Sequence, residues 1–408
     1  MTSQLRRNVI FNTAGSLLFY ICQASMNLLV TALAGIAANG LLATAMTIAN
    51  VSLSIAAFGM RTFQVSDLEG KYTDHTYLFS RYITLTIAFC GCMGFAFINA
   101  YSAQQRWVIL LYTGYRLIES WSDVWHGYLQ KAERMDIVGI SFGVRGLLTA
   151  GTVAGGLLLT HSLISTLAVL LLLNAAYVLA VDIPLARKRA DLKQTGGASV
   201  WALLLECTPL AIYASLNTSI PSVPRYFCER LSGEVELSYF ANVFLPVMIL
   251  QVAVIYLFVP FITTFAHLWA EQNKAGFYKG LCILGLCLAA IWGCGALGAA
   301  LLGPWGLSFL YPTTPEILEY TGLLQPLVLA TVLTVAATVL CNLLTIARAM
   351  KALIIGCCAG LLAALLASPL LIEPFGVWGT AWATIVGIGV QAAALLVFLL
   401  VKCKRHFK

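Results

Sequence analysis

The chain is poor in charge. Asp, Glu, Lys and Arg make up only 10% of its 408 residues, where a soluble domain carries about 25%. So few ionisable groups could not cover the surface of a soluble protein of this length, which excludes a free-standing soluble enzyme. Catalytic signatures are missing as well. There is no G-x-S-x-G, Walker A or H-E-x-x-H pattern and no soluble domain to host one. An ATP-driven pump would need such a domain, so the chain is not a primary transporter by itself, and neither enzyme activity nor a cofactor is expected. The twelve cysteines form no CxxC…CxxC pattern, so neither a zinc site nor a disulfide framework is expected. Cys90, Cys92, Cys282, Cys287, Cys294, Cys341, Cys357 and Cys358 lie within apolar runs, where cysteine is a small hydrophobe; only Cys228 is placed near the external face.

What the chain has is apolar length. It is 60% hydrophobic with a mean hydropathy of +0.88, the composition of an all-α polytopic membrane protein. Runs of spanning length fall at roughly 9–35, 39–60, 82–101, 107–130, 137–159 and 163–184. They resume at roughly 199–224, 237–266, 277–303, 320–346, 352–372 and 377–401. The polar stretch ARKRADLKQTGG, 186–197, divides them, predicting a six-helix lobe over 1–185, a linker over 186–198 and a second six-helix lobe over 199–408. The first run is too long for a signal-peptide core, so no cleavable signal is expected. With the N-terminus cytoplasmic, nineteen of the twenty-four Lys and Arg fall in inner segments and three in outer ones, while Arg116 and Arg145 lie within helices. That asymmetry predicts both termini on the cytoplasmic side of the cell membrane. It also accounts for the net charge of +7 without invoking nucleic acid.

One run departs from this pattern. In Tyr112 to Gln130, YTGYRLIESWSDVWHGYLQ, the residues Arg116, Glu119, Asp123 and His126 occur at spacings of three, four and three. On a helix they span an arc of roughly 80°, with Trp121 and Trp125 opposite, so the stripe should face inward. Arg145 on the next run sits at a similar depth to Asp123. Three readings stand side by side: a salt bridge from Arg145 to Asp123 or Glu119 that holds a hairpin; a hydrated cavity where Arg116 and Arg145 meet an anionic headgroup; or a proton or sodium site at Glu119 or Asp123.

Other candidates are scattered. Arg225 lies in NTSIPSVPRYF, 217–227, where Pro221 and Pro224 are expected to break the helix near the outer leaflet and form a gate, or simply to end it with Arg225 reaching for water. Glu206 lies two turns into the same run, as a shallow cavity residue or one reaching for water. The segment 59–81, GMRTFQVSDLEGKYTDHTYLFSR, reads as a solvated inner loop or as an inner gate with Arg61 and Arg81 near lipid phosphates. Gly151 and Gly155 have the small-xxx-small spacing of close helix packing, and Gly376, Gly379, Ala381 and Ala383 crowd the start of the last run. A weak repeat matches Leu33-Ala34-Gly35 and Ala43 to Leu231-Ser232-Gly233 and Ala241 at an offset of 198, implying parallel repeats.

Several blocks resemble a known family. They begin with Arg7-Asn8-Val9 and Asn12-Thr13-Ala14-Gly15-Ser16, and continue through Gly59 to Asp67, then Lys71-Tyr72 with Tyr77. Next come Arg116-Leu117-Ile118-Glu119 with Asp123 and His126-Gly127, then Arg134-Met135-Asp136-Ile137 with Gly139, Pro224-Arg225-Tyr226, and Gly376 to Ala381. In this order they are similar to the polysaccharide flippases of the multidrug/oligosaccharidyl-lipid/polysaccharide exporter superfamily, densely over 7–150 and more thinly afterwards. The resemblance implies two six-helix lobes around a cavity that opens alternately to each side. It also implies a polyprenyl-pyrophosphate-linked oligosaccharide as substrate and cavity arginines that receive the pyrophosphate. Arg116, Arg145 and Arg225 are the candidates, with Glu119, Asp123 and His126 beside them and Arg61 as an inner contact. The two further helices of the lipid II flippase branch are absent, which favours a capsule, teichoic-type or exopolysaccharide unit. Membrane lipids and glycosyltransferases or a polymerase of the same pathway are the expected partners. Two rivals remain: a cation-coupled multidrug antiporter of the same architecture, and a non-transporting membrane partner of a glycan synthase.

Overall fold

The computed structural model describes residues 3–67, 70–190 and 199–407, and among these residues the secondary structure is helical throughout. In chain order the helices are α1 (Ser3–Ala57), α2 (Met60–Ser66), α3 (Asp74–Ile98), α4 (Ala103–Lys131), α5 (Met135–Thr160) and α6 (Leu163–Tyr177). A π-helical turn, Val178–Asp182, leads from α6 into α7 (Ile183–Arg187). Beyond it lie α8 (Val200–Ser232), α9 (Glu234–Ala270), α10 (Lys274–Leu310), a 3-10 helix (Pro315–Leu323), α11 (Leu324–Ile346) and α12 (Met350–His406). Eight helical segments among the described residues are long and apolar enough to cross a membrane. α4 is not one of them, because it carries the ionisable stripe. Large apolar side chains point outward over the surface, with Ile98 and Leu159 each 85% exposed. This is an all-α polytopic membrane protein.

Three of the helices begin at side-chain caps. Ser102 caps α4 in a reciprocal capping box with Gln105, Thr73 caps α3 and Asn273 caps α10. α1 and α12 are each two helices joined at one glycine, Gly35 (φ 87°, ψ 173°) and Gly376 (φ 54°, ψ −127°). Side chains with a Cβ are all but excluded from such backbone conformations.

The chain divides into two compact units, Met1–Ser215 and Leu216–Lys408. The expected linker 186–198 lies mostly outside the described residues, and the division falls inside α8 instead. The first turns of α8 belong to the first unit because Leu203, Leu204 and Cys207 are buried with Met60, Tyr77, Trp125 and Val178 in one apolar cluster. Glu206 is also tied there, through an ion pair with Lys71.

In the first unit α1 crosses α5 with backbones in contact. A Cβ placed on Gly139 would overlap the Phe11 carbonyl oxygen, and one on Gly15 would overlap that of Gly139. A clasp secures the end of this crossing. Asp136 is gripped by Arg134 at 2.9 and 3.1 Å and by Arg7 at 2.6 Å, while Asn8 donates to the Glu133 carbonyl at 2.7 Å and accepts from the Asp136 N–H at 3.1 Å. By contrast, nothing lies within 4 Å of a Cβ on Gly151 or Gly155. Their small-xxx-small spacing is not used for helix contact, since both face open space while Val153, Gly156 and Leu157 of the same stretch make the contacts. In α12 the expectation of crowding holds at Gly379, which lies against the Leu371 carbonyl.

The internal repeat is recorded in the backbone. Gly35 and Gly233 share one conformation, with φ and ψ of 87° and 173° against 95° and 169°. Three further positive-φ positions recur in register: Phe58 with Gln272, Glu133 with Arg348, and His161 with Gly376, all at φ 48–56° and at offsets of 214 or 215. The offset grows from 198 because α9 is longer than the stretch 36–57 that it matches. The fourth member of each repeat is rich in buried residues. α4 buries Val108, Tyr112, Tyr115, Val124 and Trp125, and α11 buries Leu327, Val328, Val335, Leu340 and Leu344. The two differ in chemistry, for Leu324–Ile346 contains no Asp, Glu, Lys, Arg or His.

Three expectations are corrected. The segment 59–81 is not a loop: left-handed Phe58 and Gly59 turn the chain into α2, and α3 starts at Asp74. α8 continues unbroken through Pro221 and Pro224 to Ser232, since each proline removes one backbone donor without ending the helix, and the chain turns only at Gly233. Cys228 is fully buried and does not reach a face.

The α1–α5 contact yields a prediction. Gly139→Ala should destabilise the protein by about 2 kcal/mol and lower its melting temperature in detergent by a few degrees, whereas Gly151→Ala should stay within about 0.5 kcal/mol of the parent. Tryptophan-fluorescence melts of the two variants would check this; equal losses would contradict the crossing.

Candidate functional site

The ionisable residues of α4 lie on the arc that their spacing predicts, yet they do not share one space. α4 packs against several helices, among them α1, α2, α3 and α6, so the edges of an arc of roughly 80° meet different neighbours. Even the opposite face is enclosed, with Trp125 buried edge-on against Tyr128 at 5.7 Å.

Three local groups result. Arg116 turns back on its own helix and pairs with Glu119 at 2.5 Å, both partly buried. Asp123 receives two guanidinium groups, from Arg61 of α2 at 2.5 Å and from Arg81 of α3 at 3.4 Å. Arg61 also grips the Gln130 side-chain oxygen at 3.2 and 3.0 Å. Arg81 is wholly buried and donates to Ser120 at 3.0 Å and to the Ala56 carbonyl. Beside them the Gln64 amide of α2 donates to the Val124 carbonyl at 3.1 Å and lies where a side chain on Gly127 would stand. That explains the glycine directly after His126. The third group is His126, 1% exposed, whose Nε2 stands 3.2 Å from Ser122 Oγ and 3.4 Å from Asp182 Oδ2.

Arg145 does not form the expected bridge to Asp123 or Glu119. Both carboxylates are occupied by nearer arginines. Arg145 is enclosed in the first unit with no exposed surface, its Nε donating to Asn174 at 3.4 Å while NH1 and NH2 have no partner. It therefore does not line an accessible wall, and His126 is equally enclosed. Residues of the site left with some exposure are Arg61, Arg116, Glu119 and Asp123, with side-chain exposures of 15–27%.

Arg225 belongs to the second unit. Its guanidinium lies over the rings of Phe240 at 5.5 Å and Phe244 at 4.9 Å, both on α9. Among the described residues no carboxylate stands within ion-pair distance of it. Aromatic faces attract a cation without neutralising it, so Arg225 keeps its charge.

Asp182 was not among the residues singled out in the sequence. It accepts from Ser122 at 2.8 Å and from Ser141 at 2.7 Å besides facing His126. An acid within three residues of the end of an apolar run reads as an interface residue. Only the π-turn that carries it inward shows otherwise.

No protein-family profile matches the chain, and no curated protein sequence does. Solved structures do. The lipid II flippase MurJ in an inward closed conformation superposes with a TM-score of 0.71 at 11% identity, over 97% of this chain and 90% of that one. An inward-facing multidrug resistance MATE transporter of the MOP superfamily gives 0.70 at 12%, over 98% of both chains. A MOP superfamily transporter from Pyrococcus furiosus, described by the reversed polarity of its binding pocket, gives 0.64 at 13%, over 99% and 96%. The fold is that of the MOP superfamily transporters. At these identities the likeness concerns architecture, and MATE transporters and a lipid flippase share it equally.

The charges around Asp123 and Asp67 generate two predictions. Asp123→Asn removes the counter-charge of a wholly buried Arg81 and should cost about 3 kcal/mol, while Arg61→Ala, at a partly exposed pair, should cost about 1 kcal/mol; unfolding titrations in mixed detergent would rank them. Asp67 caps the end of α2. Burial pushes its carboxyl upward, but the N–H groups of Tyr72 and Lys71, the Tyr77 hydroxyl and the Lys131 charge outweigh this and hold it below the usual range. A depressed carboxyl adds stability above its unfolded value of about 3.9, and loses it as pH falls through the lower folded value. Hydrogen exchange at Lys71 and Tyr72 should therefore be slow at neutral pH and accelerate relative to neighbours only below about pH 4, and Asp67→Asn should accelerate it at neutral pH.

Proposed function

We propose that the protein is a flippase that moves a polyprenyl-pyrophosphate-linked oligosaccharide from the inner to the outer leaflet of the cytoplasmic membrane, with both termini cytoplasmic, in cell-surface polysaccharide biosynthesis. The observation that carries the reading is the sign of the charge left over. Glu119 and Asp123 are each held by arginine, and Asp182 faces His126, whereas Arg225 rests on two phenylalanine rings without a carboxylate. A cation that carries no counter-ion suits a pyrophosphate, for which arginine offers forked donors. Arg225 is thus the first residue assigned to the headgroup and Arg116 the second, while Arg61 and Arg81 on Asp123 form an inner gate. The inside-negative membrane potential favours outward passage of an anion by about 2.3 kcal/mol per charge per 100 mV.

A cation-coupled multidrug antiporter shares the fold but calls for a carboxylate without an arginine on α4, and both are paired. A partner of a glycan synthase with no transport of its own is separated by experiment. Purified protein in liposomes should make a fluorescent polyprenyl-pyrophosphate disaccharide accessible to an external quencher. Arg225→Ala should slow this by about 10–100-fold, the loss of one charge-assisted contact worth about 1.5–3 kcal/mol, and Arg225→Lys should recover part of it. Movement of a cationic dye in place of the glycolipid would favour the antiporter, and movement of neither the synthase partner.

A further inference from the structure

α1 carries a polar stripe of its own, which the ion pairs of α4 do not account for. Asn12, Ser16, Tyr20, Gln23 and Asn27 follow one another at spacings of four, four, three and four, which places them on an arc of about 80° of the helix. The two flanking sides of α1 differ from it. On one, Phe19, Cys22 and Met26 are buried beside the contact of Gly15 with α5. On the other, Ile10, Leu17 and Ile21 are 52%, 49% and 54% exposed, an apolar side suited to lipid. Tyr20 is exposed to the same degree, 53%, yet ends in a hydroxyl, and the other four residues of the stripe are half-buried. An amide or hydroxyl turned to hydrocarbon finds no partner and is costly to leave unbonded. A stripe of five such side chains therefore belongs to a water-filled space.

The stripe is continuous with the Arg116–Glu119 pair of α4. Gln23 Nε2 donates to the Tyr115 hydroxyl at 2.7 Å, and that hydroxyl stands 3.1 Å from Thr149 Oγ1. Arg116 lies within electrostatic reach of Tyr20 as well as of Tyr112 and Tyr115. Part of the stripe's bonding capacity is unspent. The Oδ1 atom of Asn27 is buried without a partner, and its Nδ2 meets only the Met46 thioether at 3.6 Å, a weak acceptor.

The internal repeat gives a second, independent observation. At the offset of 198, Asn27 corresponds to Arg225 and Met46 to Phe244. The contact recurs with the positions: Asn27 lies on Met46 in the first unit, as Arg225 lies over Phe244 at 4.9 Å in the second. One position thus holds a cation in one unit and a neutral amide in the other. A neutral stripe is a poor match for phosphate, but amides and hydroxyls offer donors and acceptors together, as sugar hydroxyls do. The Tyr20 ring adds an apolar surface on which the C–H face of a pyranose can lie.

We propose that this stripe of α1 is a glycan-binding face of the first unit, taking the uncharged hydroxyls of the cargo's sugars and leaving the phosphates to arginine. The proposal deepens the flippase reading and rests on it for the identity of the cargo. Recognition is divided: the carrier is read by charge, and the sugars by Ser16, Tyr20, Gln23 and Asn27. Exchange of the two amides then changes which glycan is accepted without changing the carrier.

Full-length protein in detergent, with cysteine placed at one position at a time, reads both solvent and ligand. The twelve native cysteines give a constant background. Above it, Ser16→Cys and Tyr20→Cys should each add a thiol that reacts with a charged, water-soluble methanethiosulfonate. Leu17→Cys and Ile21→Cys, on the apolar side, should add none. A polyprenyl-pyrophosphate disaccharide should slow labelling of Ser16→Cys about tenfold when nine-tenths of the sites are filled, and polyprenyl pyrophosphate without sugar should not. Adding Gln23→Ala should raise the disaccharide concentration needed by about 3–10-fold, the loss of one neutral hydrogen bond. Unreactive thiols at both 16 and 20, equal reactivity of Leu17→Cys, or equal protection by the sugar-free carrier would overturn the glycan face. Protection reads binding and not movement, so the two readings fail separately. Protection in a protein that moves no glycolipid retires the flippase and keeps the face, and movement without protection does the reverse.

Discussion

A charge taken out of water must find a counter-charge or a set of dipoles, and the first unit is arranged around that requirement. A bare ion in a low-dielectric interior is worth several kcal/mol of instability. Arg81 has no exposed surface and reaches Asp123, Ser120 and a backbone carbonyl; Asp136 is equally buried and gathers Arg7 and Arg134. Asp182 collects two serines and a histidine. The helices that supply these partners, α1 to α6, are thereby fixed relative to α4. Polar contacts, which contribute little on a soluble surface, set the geometry of this unit.

The second unit repeats the backbone without the chemistry. Positive-φ positions recur at matching turns, and the fourth member of the repeat is rich in buried residues in both units. Yet α11 is apolar where α4 is ionisable. A duplicated scaffold needs only close packing to persist, which small and aliphatic residues supply; the ionisable set is an addition specific to one copy. Within the second unit the charge that stands out is Arg225, supported by ring faces and not by an acid.

The blocks that carry the family resemblance are largely structural. Arg7, Asn8, Arg134 and Asp136 make the clasp at the end of α1, and Gly15 with Gly139 lets α1 and α5 touch. Arg61, Gln64 and Gly127 seat α2 on α4. A buried ion pair or a backbone contact tolerates few substitutes, whatever the cargo. The likeness to solved MOP superfamily structures accordingly reports the architecture, which a lipid flippase and MATE transporters share.

Composition and hydropathy alone determined that this is a polytopic helical membrane protein, where its apolar runs lie, and that α4 is the anomalous one. These properties arise from local sequence, because burial in lipid acts on each segment by itself. The spacing of Arg116, Glu119, Asp123 and His126 also placed them on one arc correctly. Which partner each would take was decided only by the tertiary structure. Asp123 lies at similar depth to Arg145 along the chain but meets Arg61 and Arg81 in space, and Arg145 is left with Asn174. A helical wheel gives an angle, and angles do not say which neighbour stands there when several helices pack around one. The role of Asp182 rests on a π-turn that shifts one residue inward, a displacement that no periodicity in the sequence records.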